Sequence, residues 1–257
     1  MRGEERIMPH LHIEEKNFVI MLALVFLLLV ENLAFAENNP SAVDWVNKCI
    51  RLAHDGKYQE AIEACSKAIE LDPKLAAAYI NRGNAHSEFG DRRQAIKDFN
   101  KAVELDPKVA AAYINRGNAY SGLGDHRQAI KDFNKAVELD SKVAAAYYSR
   151  GVAYGSLGDH QQAIKDFGKA IELEPKLVAA YYSRGVAYSS LGDHQQAIRD
   201  YDKAIELDPK LTPAYMNRGV TYGSLGDDEK AITDFRTAAR LGDRKAQDFL
   251  KSKGISW

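Results

Sequence analysis

NRGNAYSGLGDHRQAI, residues 115–130, reads as one amphipathic helix with a glycine inside it, then a Gly-Asp break, then the start of a second helix. The stretch returns as NKCIRLAHDGKYQEAI from Asn47, NRGNAHSEFGDRRQAI from Asn81, SRGVAYGSLGDHQQAI from Ser149, SRGVAYSSLGDHQQAI from Ser183 and NRGVTYGSLGDDEKAI from Asn217, with a constant step of 34 residues. A fixed period of that length marks a solenoid, in which each unit is too small to bury its own apolar face and does so against its neighbours. The units are 42–75, 76–109, 110–143, 144–177, 178–211 and 212–245, with a short linker at 37–41 and a capping helix and tail at 246–257.

Each unit divides into two helices. In 110–143 the first is expected over Ala110–Leu123, and Gly124 stands where a left-handed C-terminal residue is wanted. Asp125 follows as N-cap, and Gln128 three residues on predicts a capping box; the same pair recurs as Asp91/Gln94, Asp159/Gln162 and Asp193/Gln196. Ala129, Ile130, Phe133, Ala136, Val137 and Leu139 then form an apolar stripe at helical spacing. Asp72-Pro73, Asp106-Pro107, Glu174-Pro175 and Asp208-Pro209 end the second helices, because the proline ring disfavours helix in the residue before it.

Gly83, Gly117, Gly151, Gly185 and Gly219 lie inside first helices, where each costs about 1 kcal/mol relative to alanine. The expected compensation is close approach to small residues of the second helix: Ala95, Ala129, Ala163, Ala197 and Ala231, with Ala102, Ala136, Ala170, Ala204 and Ala238 beyond them.

Numbered within the unit, the pattern is Trp or Tyr at position 4, Gly at 8, Tyr at 11, Ala at 20, Phe or Tyr at 24, Ala at 27 and Pro at 32. Tyr113, Gly117, Tyr120, Ala129, Phe133 and Ala136 carry it in 110–143, and the first unit departs furthest, with Trp45, Cys49, Leu52, Ala61, Cys65, Ala68 and Pro73. The chain thereby resembles the tetratricopeptide repeat (TPR) family over six tandem repeats. The resemblance implies an all-α, right-handed superhelical solenoid of antiparallel helix pairs whose first helices line a concave groove. It places positions 2, 5, 6, 9 and 12 in that groove, which makes Ile80, Asn81, Asn84, Ile114, Asn115, Asn118, Tyr148, Ser149, Tyr182, Ser183, Met216 and Asn217 the candidate binding residues. The early units would offer amides suited to a peptide backbone, and the later ones an exposed stripe of aromatic and aliphatic anchors. Relatives that clamp a chaperone's C-terminal carboxylate use basic groove residues, but position 2 here is Val43, Ala77, Ala111, Ala145, Ala179 and Pro213.

Positions 8 and 24 face one another in the family, so Cys49 and Cys65, the only two cysteines, are expected to form a disulfide; two buried thiols are the alternative. A bond closing so short a loop adds about 3 kcal/mol on the chain-entropy model. Arg82, Arg116, Arg150, Arg184 and Arg218 are expected to pair with Asp98, Asp132, Asp166, Asp200 and Asp234 as partly exposed, weakly stabilising ion pairs rather than to bind an anion. His126, His160 and His194 recur once per unit. Stacked helices lie about 10 Å apart, too far for metal bonds of about 2 Å, so these are expected to be solvated and no metal is expected. Gly242 to Trp257 is read as the cap, with Trp257 folded back upon it.

Ahead of the repeats, Phe18 to Val30 is uncharged and apolar and is followed by Ala34-Phe35-Ala36, the pattern of a cleaved signal peptide over 1–36; translation from Met1 or Met8 is left open. The run is shorter than the roughly 20 residues that span a bilayer, and an inner-membrane anchor at 18–30 is the alternative. Cleavage would leave 32 basic and 31 acidic side chains, a balance that lacks the basic stripe of a nucleic-acid binder. No nucleophile with a base, phosphate-cradling loop or cofactor motif stands out, so the chain is not expected to be an enzyme or to hold a cofactor. The leading expectation is a non-catalytic, periplasmic scaffold that holds a peptide or helix of a partner protein. The alternatives are an accessory or sensor subunit taking a small molecule or glycan in the aromatic half, and an array that self-associates end to end.

Overall fold

The computed structural model describes residues 40–257 and, before them, Met21, Val25 and Phe26. The expected signal segment thus lies outside the described residues but for those three. Among the described residues there are thirteen helices from Ala42 onward and no strand. They run α1 Ala42–His54, α2 Tyr58–Leu71, α3 Ala76–Phe89, α4 Arg92–Leu105, α5 Ala110–Gly122, α6 His126–Leu139, α7 Ala144–Ser156, α8 His160–Leu173, α9 Val178–Ser190, α10 His194–Leu207, α11 Thr212–Ser224, α12 Asp228–Arg240 and α13 Arg244–Ser252. Each helix packs on the next in sequence, and first helices of neighbouring pairs also touch, which is the contact pattern of a TPR solenoid. No helix among the described residues is long and apolar enough to cross a membrane.

The turn within each pair satisfies the backbone more tightly than a capping box would. At α5 the helix ends at Gly122, Leu123 is the C-cap, and Gly124 takes φ +83°. The Asp125 amide then donates back to the Tyr120 carbonyl at 2.9 Å. The Asp125 carboxylate accepts the Gln128 amide at 3.1 Å, but the Asp125 N–H is already engaged, so the Gln128 side chain has no donor to reach for and the expected box is half formed. Asp91, Asp159, Asp193 and Asp227 cap in the same way. Among the described residues a complete box forms only at α1, where Ser41 and Asp44 bond reciprocally.

The glycines within first helices do face a close neighbour, but it is the ring at position 24 rather than alanine. A Cβ on Gly83, Gly117 or Gly151 would lie 2.7–2.8 Å from the Cε1 of Phe99, Phe133 or Phe167. At Gly185 and Gly219 the rings of Tyr201 and Phe235 stand equally near, joined by the carbonyls of Ala197 and Ala231 at 3.3 and 3.2 Å. Each glycine thus opens a slot for an aromatic side chain, and burying that ring offsets the propensity cost. The alanines enclose the same rings from the sides. Ala95 and Ala119 flank Phe99, Ala129 and Ala153 flank Phe133, and Ala163 and Ala187 flank Phe167, closing one ring per pair into the core.

The first pair solves the same contact differently. Cys49 and Cys65, at the two positions that elsewhere carry glycine and ring, are disulfide-bonded with Cα atoms 5.4 Å apart and lie fully buried with Ala61, Ala64 and Ala85. At the other end α13 covers Ala238 and Ala239 with Ala246 and Leu250. It starts at Arg244 because Asp243 caps it, its carboxylate accepting the Ala246 amide at 2.8 Å. Ile255, not Trp257, folds back onto the cap; Trp257 stays 43% exposed, as the tail is held by the Arg236 guanidinium on the Ser256 carbonyl at 3.0 Å.

Candidate functional site

The candidate residues all stand on first helices, and neighbouring pairs connect them. In α3 and α5 the Asn115 Nδ2 donates to the Asn84 Oδ1 at 2.8 Å. That bond uses one donor and one acceptor of two amides that together carry four of each kind of site, so most of their capacity stays open. Asn118, exposed one turn further, adds a third amide. With Ser87, Glu88, Arg92 and the edge of Phe99 they line an open cavity of about 650 Å³ between α3, α4 and α5. Gly122 admits Arg92 to it, because a Cβ there would collide with the Arg92 Nε. Asn81 turns the other way, its Nδ2 donating to the Ala77 carbonyl of its own helix at 2.8 Å.

The aromatic and aliphatic candidates are half-buried rather than exposed. Tyr148 packs its ring on Phe167 at 5.7 Å between centroids, and Tyr182 on Tyr201 at 6.1 Å. The Tyr182 hydroxyl also accepts the Asn217 Nδ2 at 3.0 Å, which ties α9 to α11. Burial raises the Tyr182 phenol, and raises Tyr201 further. Ile80 and Ile114 pack against the clusters around Ala102 and Phe133, and Met216 against Ala238 and Leu250, while Ser149 and Ser183 are half-buried between neighbours. Ile114, Tyr148 and Tyr182 are committed to the scaffold because at position 5 they lean over the position 24 ring of the same pair. The exposed large apolar groups at the groove positions are instead Val43, Ile50, Val152, Val186 and Val220, with Val43 58% exposed.

Sequence reasoning missed Ser87, Glu88 and Arg92 as partners of the asparagines. Ser87 was within reach of it, since position 12 belongs to the groove face, whereas nothing local announces that Arg92 crosses to the next pair at Gly122.

The arginine and aspartate rows pair as expected but not as weak surface bridges. Arg116 donates through Nε and Nη2 to the two carboxylate oxygens of Asp132 at 2.8 and 2.6 Å, and Arg82, Arg150, Arg184 and Arg218 hold Asp98, Asp166, Asp200 and Asp234 in the same forked geometry. The five carboxylates are 4–7% exposed. Bidentate pairing of a buried carboxylate makes removal of either partner costly, because it strands a desolvated charge. Each guanidinium also lies over the position 4 tyrosine of its own helix, 5.3–5.8 Å from the ring centre. The charges on these arginines are therefore part of the frame. His126, His160 and His194 are half-buried; His126 Nδ1 meets the Ser121 hydroxyl at 3.2 Å, and the buried His194 Nδ1 has no partner among the described residues. No group of three or more metal-ligating side chains comes together among the described residues.

Comparison with known proteins fits this geometry. A tetratricopeptide repeat model matches 76–109, 110–143, 144–177 and 178–211, a second TPR repeat model matches 52–90, and a third matches 200–233. Among curated proteins nothing matches. Of solved structures, MamA is 32% identical at a TM-score of 0.60, covering 64% of this chain and 96% of MamA. YrrB, described as a TPR protein with an unusual peptide-binding site, is 28% identical at a TM-score of 0.64, covering 74% and 99%. Pseudomonas aeruginosa pilF shares the fold alone, at 16% identity and a TM-score of 0.72 over 82% and 97%. With repeat models matched across residues 52–233 and each glycine, ring and alanine in its place, the chain belongs to the tetratricopeptide repeat family.

Proposed function

We propose that this protein is a non-catalytic scaffold that holds an extended segment of a partner protein along the surface built by its first helices. The observation that carries the reading is the amide cluster of Asn84, Asn115 and Asn118, whose open donors and acceptors match the alternating N–H and C=O groups of a peptide main chain. The likeness to YrrB, itself described as having a peptide-binding site, supports it. The packing of Tyr148 and Tyr182 into the scaffold favours this over a small molecule or glycan gripped by free aromatic rings.

We infer an exported, periplasmic location in the cell envelope. The support is the apolar run Phe18 to Val30 with Ala34-Phe35-Ala36 behind it, together with a disulfide that persists in oxidising compartments. A photo-crosslinking residue at Asn118 should capture a partner in intact envelopes, and Asn84→Ala with Asn115→Ala should remove the adduct. The same probe at the remote Glu104 should capture nothing; equal capture from both positions would defeat the reading. N-terminal sequencing should start at Glu37, and an intact Met1 or Met8 counts against export.

A further inference from the structure

The arginine row contains one break. The third nitrogen, Nη1, of each arginine reaches back to position 25 of the preceding pair. Arg82 donates to the Ser66 hydroxyl at 3.1 Å, Arg116 to the Asn100 Oδ1 at 2.8 Å, Arg150 to the Asn134 Oδ1 at 2.8 Å, and Arg218 to Asp202. An oxygen acceptor thus fills this slot in four junctions. In the fifth, position 25 is Gly168, and the Arg184 Nη1 has no partner among the described residues.

Packing does not explain Gly168. It sits inside α8, where glycine weakens a helix relative to alanine. A Cβ placed on it would meet only the Arg184 Nη1, at the ordinary contact distance of 3.6 Å, in contrast to the ring collisions that require Gly117 or Gly151. Arg184 itself is fixed: Nε and Nη2 each donate to Asp200 at 2.8 Å, and the guanidinium lies 5.8 Å from the centre of the Tyr181 ring. A charged donor is held still and aimed at a space that its counterparts fill with oxygen. A group entering there finds the geometry already set, which is the condition under which a single charge-assisted bond is selective.

We propose that Gly168 and Arg184 form a docking slot for a carboxylate presented by a partner protein, in the place that Ser66, Asn100, Asn134 and Asp202 occupy at the other junctions. The carboxylate accepts from the Arg184 Nη1 while Asp200 keeps the other two donors. This contact is separate from the amide cluster and does not depend on which segment lies there.

The test is NMR of the arginine side-chain resonances in the full chain, titrated with sodium acetate against sodium chloride at equal ionic strength. Arg184 should show a saturable shift about fivefold or more above that of Arg150. Gly168→Asn should fill the slot and bring Arg184 down to the level of Arg150, and Asn134→Gly should confer the response on Arg150. N-acetyl-aspartate N-methylamide and N-acetyl-alaninate then separate a side-chain from a chain-terminal source by which shifts Arg184 at lower concentration. Equal, unsaturated drift of all five arginines, or a response of Arg184 that survives Gly168→Asn in a variant of unchanged helical circular dichroism, would overturn the proposal.

Discussion

The first helix pair and the interior pairs solve one problem in two ways. Between α5 and α6 the contact is a matter of shape, Gly117 making room for Phe133, whose ring the alanines of two pairs then enclose. Between α1 and α2 the same two positions carry Cys49 and Cys65, joined covalently. Among the described residues, an interior first helix leans on a pair before it as well as on its own partner, whereas α1 packs on α2 and α3. Terminal repeats of a one-dimensional array lack one nearest-neighbour interface and need another source of stability. In the first pair described the disulfide adds such a source, and after the last pair described α13 covers its apolar face.

The comparison can be broken most forcefully within an interior pair. Asp132→Ala strands the Arg116 guanidinium in a half-buried site and should cost about 3–5 kcal/mol, read from the denaturant midpoint. Losing the Cys49–Cys65 bond through paired serine substitution should cost about 3 kcal/mol and act on the first pair. Gly117→Val presses a branched side chain into the Phe133 ring and should destabilise by about 1–3 kcal/mol. Gly155→Ala should do the reverse, gaining about 0.4–1 kcal/mol, since its Cβ would meet only the Ala163 Cβ at 3.9 Å. Opposite signs for two glycines inside first helices separate those the ring demands from those it does not.

The smallest effect concerns His86, which stands where the following units carry Tyr120, Tyr154, Tyr188 and Tyr222. Burial holds its imidazole below the usual 6.5, only partly opposed by the Asp98 carboxylate 3.9 Å away. The unfolded chain therefore takes up this proton first, so the contribution of His86 is present above about pH 6.5 and is lost as pH falls towards its lower folded value. His86→Tyr should flatten that part of the stability curve between pH 7 and 5.

The period, the helix pairs and the capping aspartates were legible because each depends on residue type at a fixed offset along one chain segment, whereas the disulfide partners followed only from the facing of positions 8 and 24 that the family resemblance implies. What was not legible depends on directions between segments. Gly117 and Ala129 are both small and in phase, so spacing alone cannot tell that Phe133 rather than Ala129 occupies the slot; only the Cβ vectors of packed helices show it. The burial of Asp132, the reach of Arg150 back to Asn134, and the commitment of Tyr148 to Phe167 are likewise products of stacking. At the candidate site the asparagines were readable as a polar group, whereas their union with Arg92 across Gly122 was not.

The most direct measurement is native-state hydrogen exchange resolved by pair, with and without reductant. If each pair is held by its own slot and its neighbours, reducing Cys49–Cys65 should speed exchange in α1 and α2 while α5 to α10 keep their protection. Loss of protection throughout the chain, or none in α1 and α2, would contradict this account of the array.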